Sequence, residues 1–219
     1  MSARAGEGWS RLFDPHVPEP AQDCVDPAHD GVGDRGAPYA VKLGGGSRIA
    51  VADLVGLANA NKHDDALHAA YRTDFAKIAA LLHGSRFGIV TAHYPLNSVS
   101  WHKDVIDEIT IGSKPVKALG ALDNLNAQIM IAGQVHEFQV ARFTNRSTQV
   151  IAGFSGTAED PPKSPGSLAQ AMGKPGAEPL VGLTMVQDAF GFCLIERQGN
   201  RRTLTAYQAD GTIIGRFPL

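Results

Sequence analysis

Two short, unbroken apolar runs constrain this chain most: Phe87-Gly88-Ile89-Val90-Thr91-Ala92 and Ile129-Met130-Ile131-Ala132. A strand with one wet face alternates apolar and polar residues, so a run that is apolar throughout marks a strand covered on both faces. Each run breaks at a polar cluster that carries a histidine, His93 after the first and His136 after the second. Ahead of the first run, Leu67, Tyr71, Phe75, Ile78 and Leu82 recur at helical spacing behind Asp64 and Asp65, which supply an N-cap. A second, shorter helix is expected around Val116 to Leu122. Strand, helix, strand, helix, strand predicts an α/β layer, in which ligands sit outside the carboxyl ends of the strands. Both histidines are then expected at that rim.

The flanking segments read as further strands. Tyr39 to Leu43 and Arg48 to Leu54 are strand-like and separated by Gly44-Gly45-Gly46-Ser47. A phosphate-cradling loop needs Gly-Lys-Ser/Thr opening a helix, whereas Arg48 opens an apolar strand, so the glycines read as a hairpin turn. His83 before Gly84 reads as a favourable charge at a helix C-terminus. Glu137 to Phe143 and Gln149 to Ala152 are expected strands. Leu180 to Val186, Phe190 to Arg197, Arg202 to Gln208 and Thr212 to Phe217 predict an antiparallel meander turning at Gly199-Asn200 and Asp210-Gly211. The 24 Gly and 13 Pro of 219 residues exceed the average share, and most fall in two long loops, Asp14 to Pro38 and Gly156 to Pro179.

Charge and cysteine usage exclude several classes. Twenty Lys and Arg against 22 Asp and Glu leave a net charge of −2, with the cations scattered along the chain rather than gathered in a basic stripe. Neither nucleic acid nor an anionic membrane is an expected partner. Cys24 and Cys193 lack CxxC spacing, against a disulfide framework or a cysteine-built zinc site, and Cys193 reads as a buried thiol in a strand. No run approaches the ~18 apolar residues of a membrane helix and no signal-peptide layout opens the chain, so the cytoplasm is the default compartment. Gly153-Phe154-Ser155-Gly156 is one residue short of a nucleophile elbow. Asp107-Glu108 and Glu159-Asp160 read as solvated faces.

Two imidazoles at one strand rim are candidate ligands for Zn, Fe or Mn, while spacing alone favours reading them as packing residues. Thr91-Ala92-His93-Tyr94-Pro95-Leu96 resembles the strand-then-H-x-P motif of the calcineurin-like metallophosphoesterases, and Ala132-Gly133-Gln134-Val135-His136-Glu137-Phe138 resembles their G-H-x-H loop. Arg48 to Asp53, Gly153 to Asp160 and Gly191 to Leu219 are similar to the family's C-terminal half, and Arg4 to Pro15 is similar to the stretch just after its G-N-H-E motif.

The resemblance implies an α/β fold, an incomplete αββα sandwich with mixed and antiparallel sheets. It implies one domain over residues 1–219, truncated at its N-terminus. It also implies a dimetal phosphatase or phosphodiesterase site in which metal-bound hydroxide attacks phosphorus, on a small phosphoester substrate. By position His93, Gln134 and His136 would be metal ligands. Gln134 departs from the family's imidazole, and D-x-H, G-D-x-x-D and G-N-H-E are absent from this chain. Without a bridging carboxylate, repulsion between two ions ~3.5–4 Å apart is uncompensated, so this polypeptide alone is expected not to hydrolyse phosphoesters efficiently. No catalytic residue is assigned. His102 could join His93 and His136 in a mononuclear zinc site. The other reading is a non-catalytic binding or regulatory module on the same scaffold. An exposed apolar sheet face and open edge would invite self-association.

Overall fold

The computed structural model describes residues 37–54, 65–93, 95, 97–102, 105–111, 125–143, 147–156, 180–186 and 189–219. Its strands in chain order are β1 (Tyr39–Leu43), β2 (Ser47–Ala52), β3 (Phe87–Ala92), β4 (Asn97–His102), β5 (Val105–Ile111), β6 (Ile129–Ala132), β7 (Phe138–Phe143), β8 (Thr148–Ala152), β9 (Leu180–Val186), β10 (Gly191–Gln198), β11 (Arg201–Gln208) and β12 (Ile213–Pro218). The described helix is α1 (Asp65–Leu82). Seven strands form one mixed sheet in the order β1-β2-β3-β6-β8-β7-β9. Within it β2, β3, β6 and β8 run parallel, and β7 is antiparallel to both of its neighbours.

The apolar runs behave as their composition dictates. In β3 and β6 adjacent residues enter different cores: Val90 and Met130 pack with Tyr71, Phe75, Ile78 and Leu82 of α1, while Ile89 and Ile129 pack together away from the helix. Alternation of side chains along a strand therefore gives this sheet a helical layer on one face and a second layer on the other. That second layer is the antiparallel sheet β10-β11-β12, whose Leu204, Ala206 and Phe217 meet Phe138, Val140, Val150 and Phe154. The Phe138 ring lies 5.2 Å from that of Phe154 and 5.7 Å from that of Phe217.

Helix α1 ends as its sequence requires. Gly84 takes φ +71°, the Ser85 amide donates to Leu82 O at 3.0 Å, and Arg48 Nη1 donates to the carbonyls of Leu81 at 2.8 Å and His83 at 3.1 Å. A guanidinium bound to the last carbonyls complements the negative end of the helix.

Two expectations, the connection after His93 and the meander, need correction. Between His93 and the next parallel strand the chain inserts the hairpin β4–β5, whose second strand contains Asp107 and Glu108. The segment Leu180–Val186 leaves the meander and pairs with β7 at the edge of the large sheet, where Val186 packs against the cluster around Phe138. Three of the cations, scattered in sequence, gather in space at one end of the sandwich, where Arg86, Arg197 and Arg202 reach the Gly45–Ser47 turn. The expected helix at 116–122, the loops at 14–36 and 157–179, Asp64 and Cys24 lie outside the described residues. The α/β class, with mixed and antiparallel sheets, is the observed one. Among the described residues no helix is long and apolar enough to cross a membrane.

Candidate functional site

Register builds the site. Parallel pairing aligns Ala52 with Ala92, Ala92 with Ala132 and Ala132 with Ile151. The next residue along each of the first three strands is Asp53, His93 or Gly133, so these leave the sheet together at its carboxyl end. The Gly133 amide donates to His93 O at 3.1 Å, and His93 Nδ1 lies 3.8 Å from where a Cβ on Gly133 would stand. Both motif loops therefore meet at one rim, with His93 and Gln134 exposed and His136 half-buried.

The Gly133–Glu137 loop is wound tightly. The Val135 amide donates to Gly133 O at 2.7 Å and the Glu137 amide to Val135 O at 2.9 Å, two consecutive three-residue turns centred on Gln134 and His136. Gln134 sits at φ +61°, a left-handed conformation that a residue with a Cβ rarely adopts and that costs of order 1 kcal/mol. The loop holds this shape because Gly153, just past β8, donates to Glu137 O at 3.1 Å and brings its backbone directly against the Val135–His136 peptide. A Cβ at Gly153 would lie 1.8 Å from Val135 O, so only glycine fits this contact.

Beneath the loop lies a buried polar group that motif reading passes over. Glu137, Gln139 and Gln149 have 1%, 0% and 0% exposure. Gln139 Nε2 donates to Glu137 Oε1 at 2.8 Å, and Gln149 Nε2 donates to the carbonyls of Met130 at 3.1 Å and Val150 at 3.0 Å. Polar side chains are retained in a core only when their hydrogen bonds are met. The signal for this group is present in the sequence as Glu137 just ahead of β7 and as one glutamine within each of β7 and β8, flanked there by apolar residues on at least one side.

The donor set decides what the rim could hold. Two imidazoles and one amide oxygen suit a single divalent ion and lack the bridging carboxylate that a pair requires. Asp53 stands in the neighbouring strand's row, but no three His, Cys, Asp or Glu side chains among the described residues are grouped to hold a metal. His102 ends β4 opposite Val105. Ser155 Oγ donates to Gly191 O at 3.1 Å and ties the two sheets together, a structural use of the serine in the incomplete elbow.

No family model and no curated protein matches the chain. Solved structures that share its fold include the following two. GAP50, described as the anchor in the inner membrane complex of Plasmodium, aligns over 83% of this chain and 52% of its own, at 14% identity and TM-score 0.53. The purple acid phosphatase PPD1 from yellow lupin (Lupinus luteus) seeds aligns over 83% of this chain and 32% of its own, at 15% identity and TM-score 0.53. The chain thus spans about half and about a third of the lengths of these two proteins.

Proposed function

We propose that the carboxyl rim is a metal-assisted phosphoester-binding site of metallophosphoesterase type, with His93, Gln134 and His136 as ligands of one divalent ion. The observation that carries this reading is the convergence of the His93 loop and the strained Gly133–Glu137 loop at one rim of a sheet whose fold is shared with a purple acid phosphatase. Strained backbone at a strand rim is where binding sites concentrate. The buried Glu137–Gln139 pair holds the end of the loop, and His93 O fixes its beginning. A divalent ion bound there supplies Lewis-acid polarisation of a phosphoryl oxygen. The chain's own residues orient the ligand atoms, and Gln134 contributes a neutral oxygen in place of an imidazole. Because the donors fit one ion and not two, the polypeptide binds a phosphoester and hydrolyses it weakly.

Elemental analysis after Mn or Zn reconstitution tests the ligand assignment. About one ion per chain is expected, falling well below that in His93→Ala and in His136→Ala. Metal content unchanged by both substitutions sinks it. Turnover of p-nitrophenyl phosphate and bis-p-nitrophenyl phosphate with added Mn tests the activity statement, and a rate typical of an enzyme, above about 1 per second on the usual scale of about 1–10³ per second, would overturn it.

A further inference from the structure

At the amino end of the parallel strands, opposite the rim, three consecutive residues of one turn each receive a different arginine. The Arg197 guanidinium lies against Gly45, occupying the space a Cβ there would need, with Nη1 1.4 Å from that position. The Arg86 side chain packs on Gly46, with Cγ and Cδ 3.2 Å from the equivalent point, and its amide donates to Gly46 O at 2.8 Å. Arg202 Nη2 donates to Ser47 Oγ at 3.1 Å while its guanidinium sits 4.4 Å above the Phe87 ring.

Arg197 and Arg202 are also directly opposite each other in β10–β11. Like charges at opposed positions of an antiparallel pair are destabilising. Among the described residues none of the three guanidinium groups has a carboxylate partner, and Glu196 precedes Arg197, so strand alternation puts its side chain on the other face of β10. Gly44, Gly45 and Gly46 are all exposed, and the absence of side chains on Gly45 and Gly46 is what lets Arg197 and Arg86 lie against the turn.

We propose that this turn, with Arg86, Arg197 and Arg202, is a binding site for a phosphate-class oxyanion, separate from the carboxyl rim. A planar fork of donors matches phosphate oxygens in pairs, and an anion seated there offsets a like-charge pair that the fold otherwise holds at a cost. The site does not depend on the metal reading of the rim.

The test is equilibrium binding of inorganic pyrophosphate in EDTA at fixed ionic strength, with co-sedimentation on phosphatidylcholine vesicles with and without phosphatidic acid as a second arm. Arg86→Gln and Arg197→Gln are each expected to weaken pyrophosphate binding about tenfold, as loss of one charge-assisted contact does, while His93→Ala/His136→Ala leaves it unchanged. Arg197 Nε also donates to Gly199 O at 2.7 Å, so Arg197→Gln loses that bond along with the repulsion; the readout is therefore the rise in melting temperature on adding pyrophosphate, which should shrink in Arg197→Gln and which a purely structural arginine would leave unchanged. Pyrophosphate binding without vesicle binding identifies a free oxyanion, and both together identify a lipid headgroup. Affinity unchanged in both arginine variants, affinity lost in the double histidine variant, or binding no tighter than to chloride at equal ionic strength overturns the proposal.

Discussion

At the carboxyl end of β2, β3, β6 and β8, Asp53, His93 and Gly133 are brought together by strand register, each next to an alanine in one aligned row. At the amino end, Arg86, Arg197 and Arg202 reach one turn from a loop and from two strands of the other sheet. A site built by register is written locally: a buried run, then a polar break. A site built by tertiary contact has no local sign, because its members lie far apart in the chain, Arg202 and Ser47 being separated by 155 positions. The two ends also differ in what supports them. The rim loop is pressed between a core of aromatic rings and a glycine backbone, whereas the turn at the amino end stands exposed and is held by side chains that reach it.

The largest test of that difference is Phe138→Ala. Phe138 is fully buried, aligned with Ala152 at the rim, and touches the rings of both Phe154 and Phe217. Removing it should cost about 3–5 kcal/mol, measured by urea unfolding, and should release the rim loop that begins at Gly133. A loss below about 1 kcal/mol, well short of the usual cost of a buried ring, would mean that the rim does not rest on this core.

Next in size is a pair of glycines, one at each end. Gly153→Ala drives a methyl group into Val135 O, a backbone atom that cannot step aside, and should cost about 2–3 kcal/mol by overpacking. Gly44→Ala meets nothing within 4 Å and should change stability by no more than about 0.5 kcal/mol, as surface substitutions do. Equal effects at the two positions would break the contrast between a confined rim and an open turn.

Arg48→Gln probes whether the amino end contributes stability at all. Its Nη1 bonds to Leu81 O and His83 O close the C-terminus of α1, and their loss should cost about 1–2 kcal/mol in thermal or urea unfolding. An effect within error would leave the arginines at this end with ligand binding as their main use.

The legibility of the chain divides in the same way. The helix over Asp65–Leu82 and the strands β3 and β6 are readable because burial on both faces forces a continuous apolar run, and Tyr71, Phe75, Ile78 and Leu82 keep the helical period. The hairpin β4–β5 is less so: Ser98-Val99-Ser100-Trp101 does alternate as a half-covered strand should, but no Gly, Asn or Pro turn signal separates it from Val105. Strand β9 is readable as a strand and not as a partner of β7, since short connections favour neighbours in sequence and nothing local records a jump between sheets. Within the candidate site, His93, Gln134 and His136 are visible as motif residues. Gly153 is not, because the need for glycine arises only when the Val135–His136 peptide arrives beside it.

The smallest and most local test concerns the strand that joins the two ends. β10 starts at Gly191, whose amide donates to Phe154 O at 2.9 Å beside the rim, and ends near Arg197 at the exposed turn. Cys193, near the rim end, packs against the aromatic core, and burial pushes its thiol up to about 11, since a thiolate loses its hydration there. An unfolded thiol ionises near 8.5, to about a unit. Between these values the folded chain keeps a proton that the unfolded chain has lost, so this group's contribution to stability is present below about 8.5 and declines as pH rises towards 11. In a Cys24→Ser background, alkylation of native protein by iodoacetamide should stay slow through about pH 9 and accelerate only as pH nears 11, while urea-unfolded protein reacts readily at about pH 9. Equal rates in the two states at that lower pH would show that water reaches the Cys193 thiol as freely as it reaches the arginines, and its place against the aromatic core would fall.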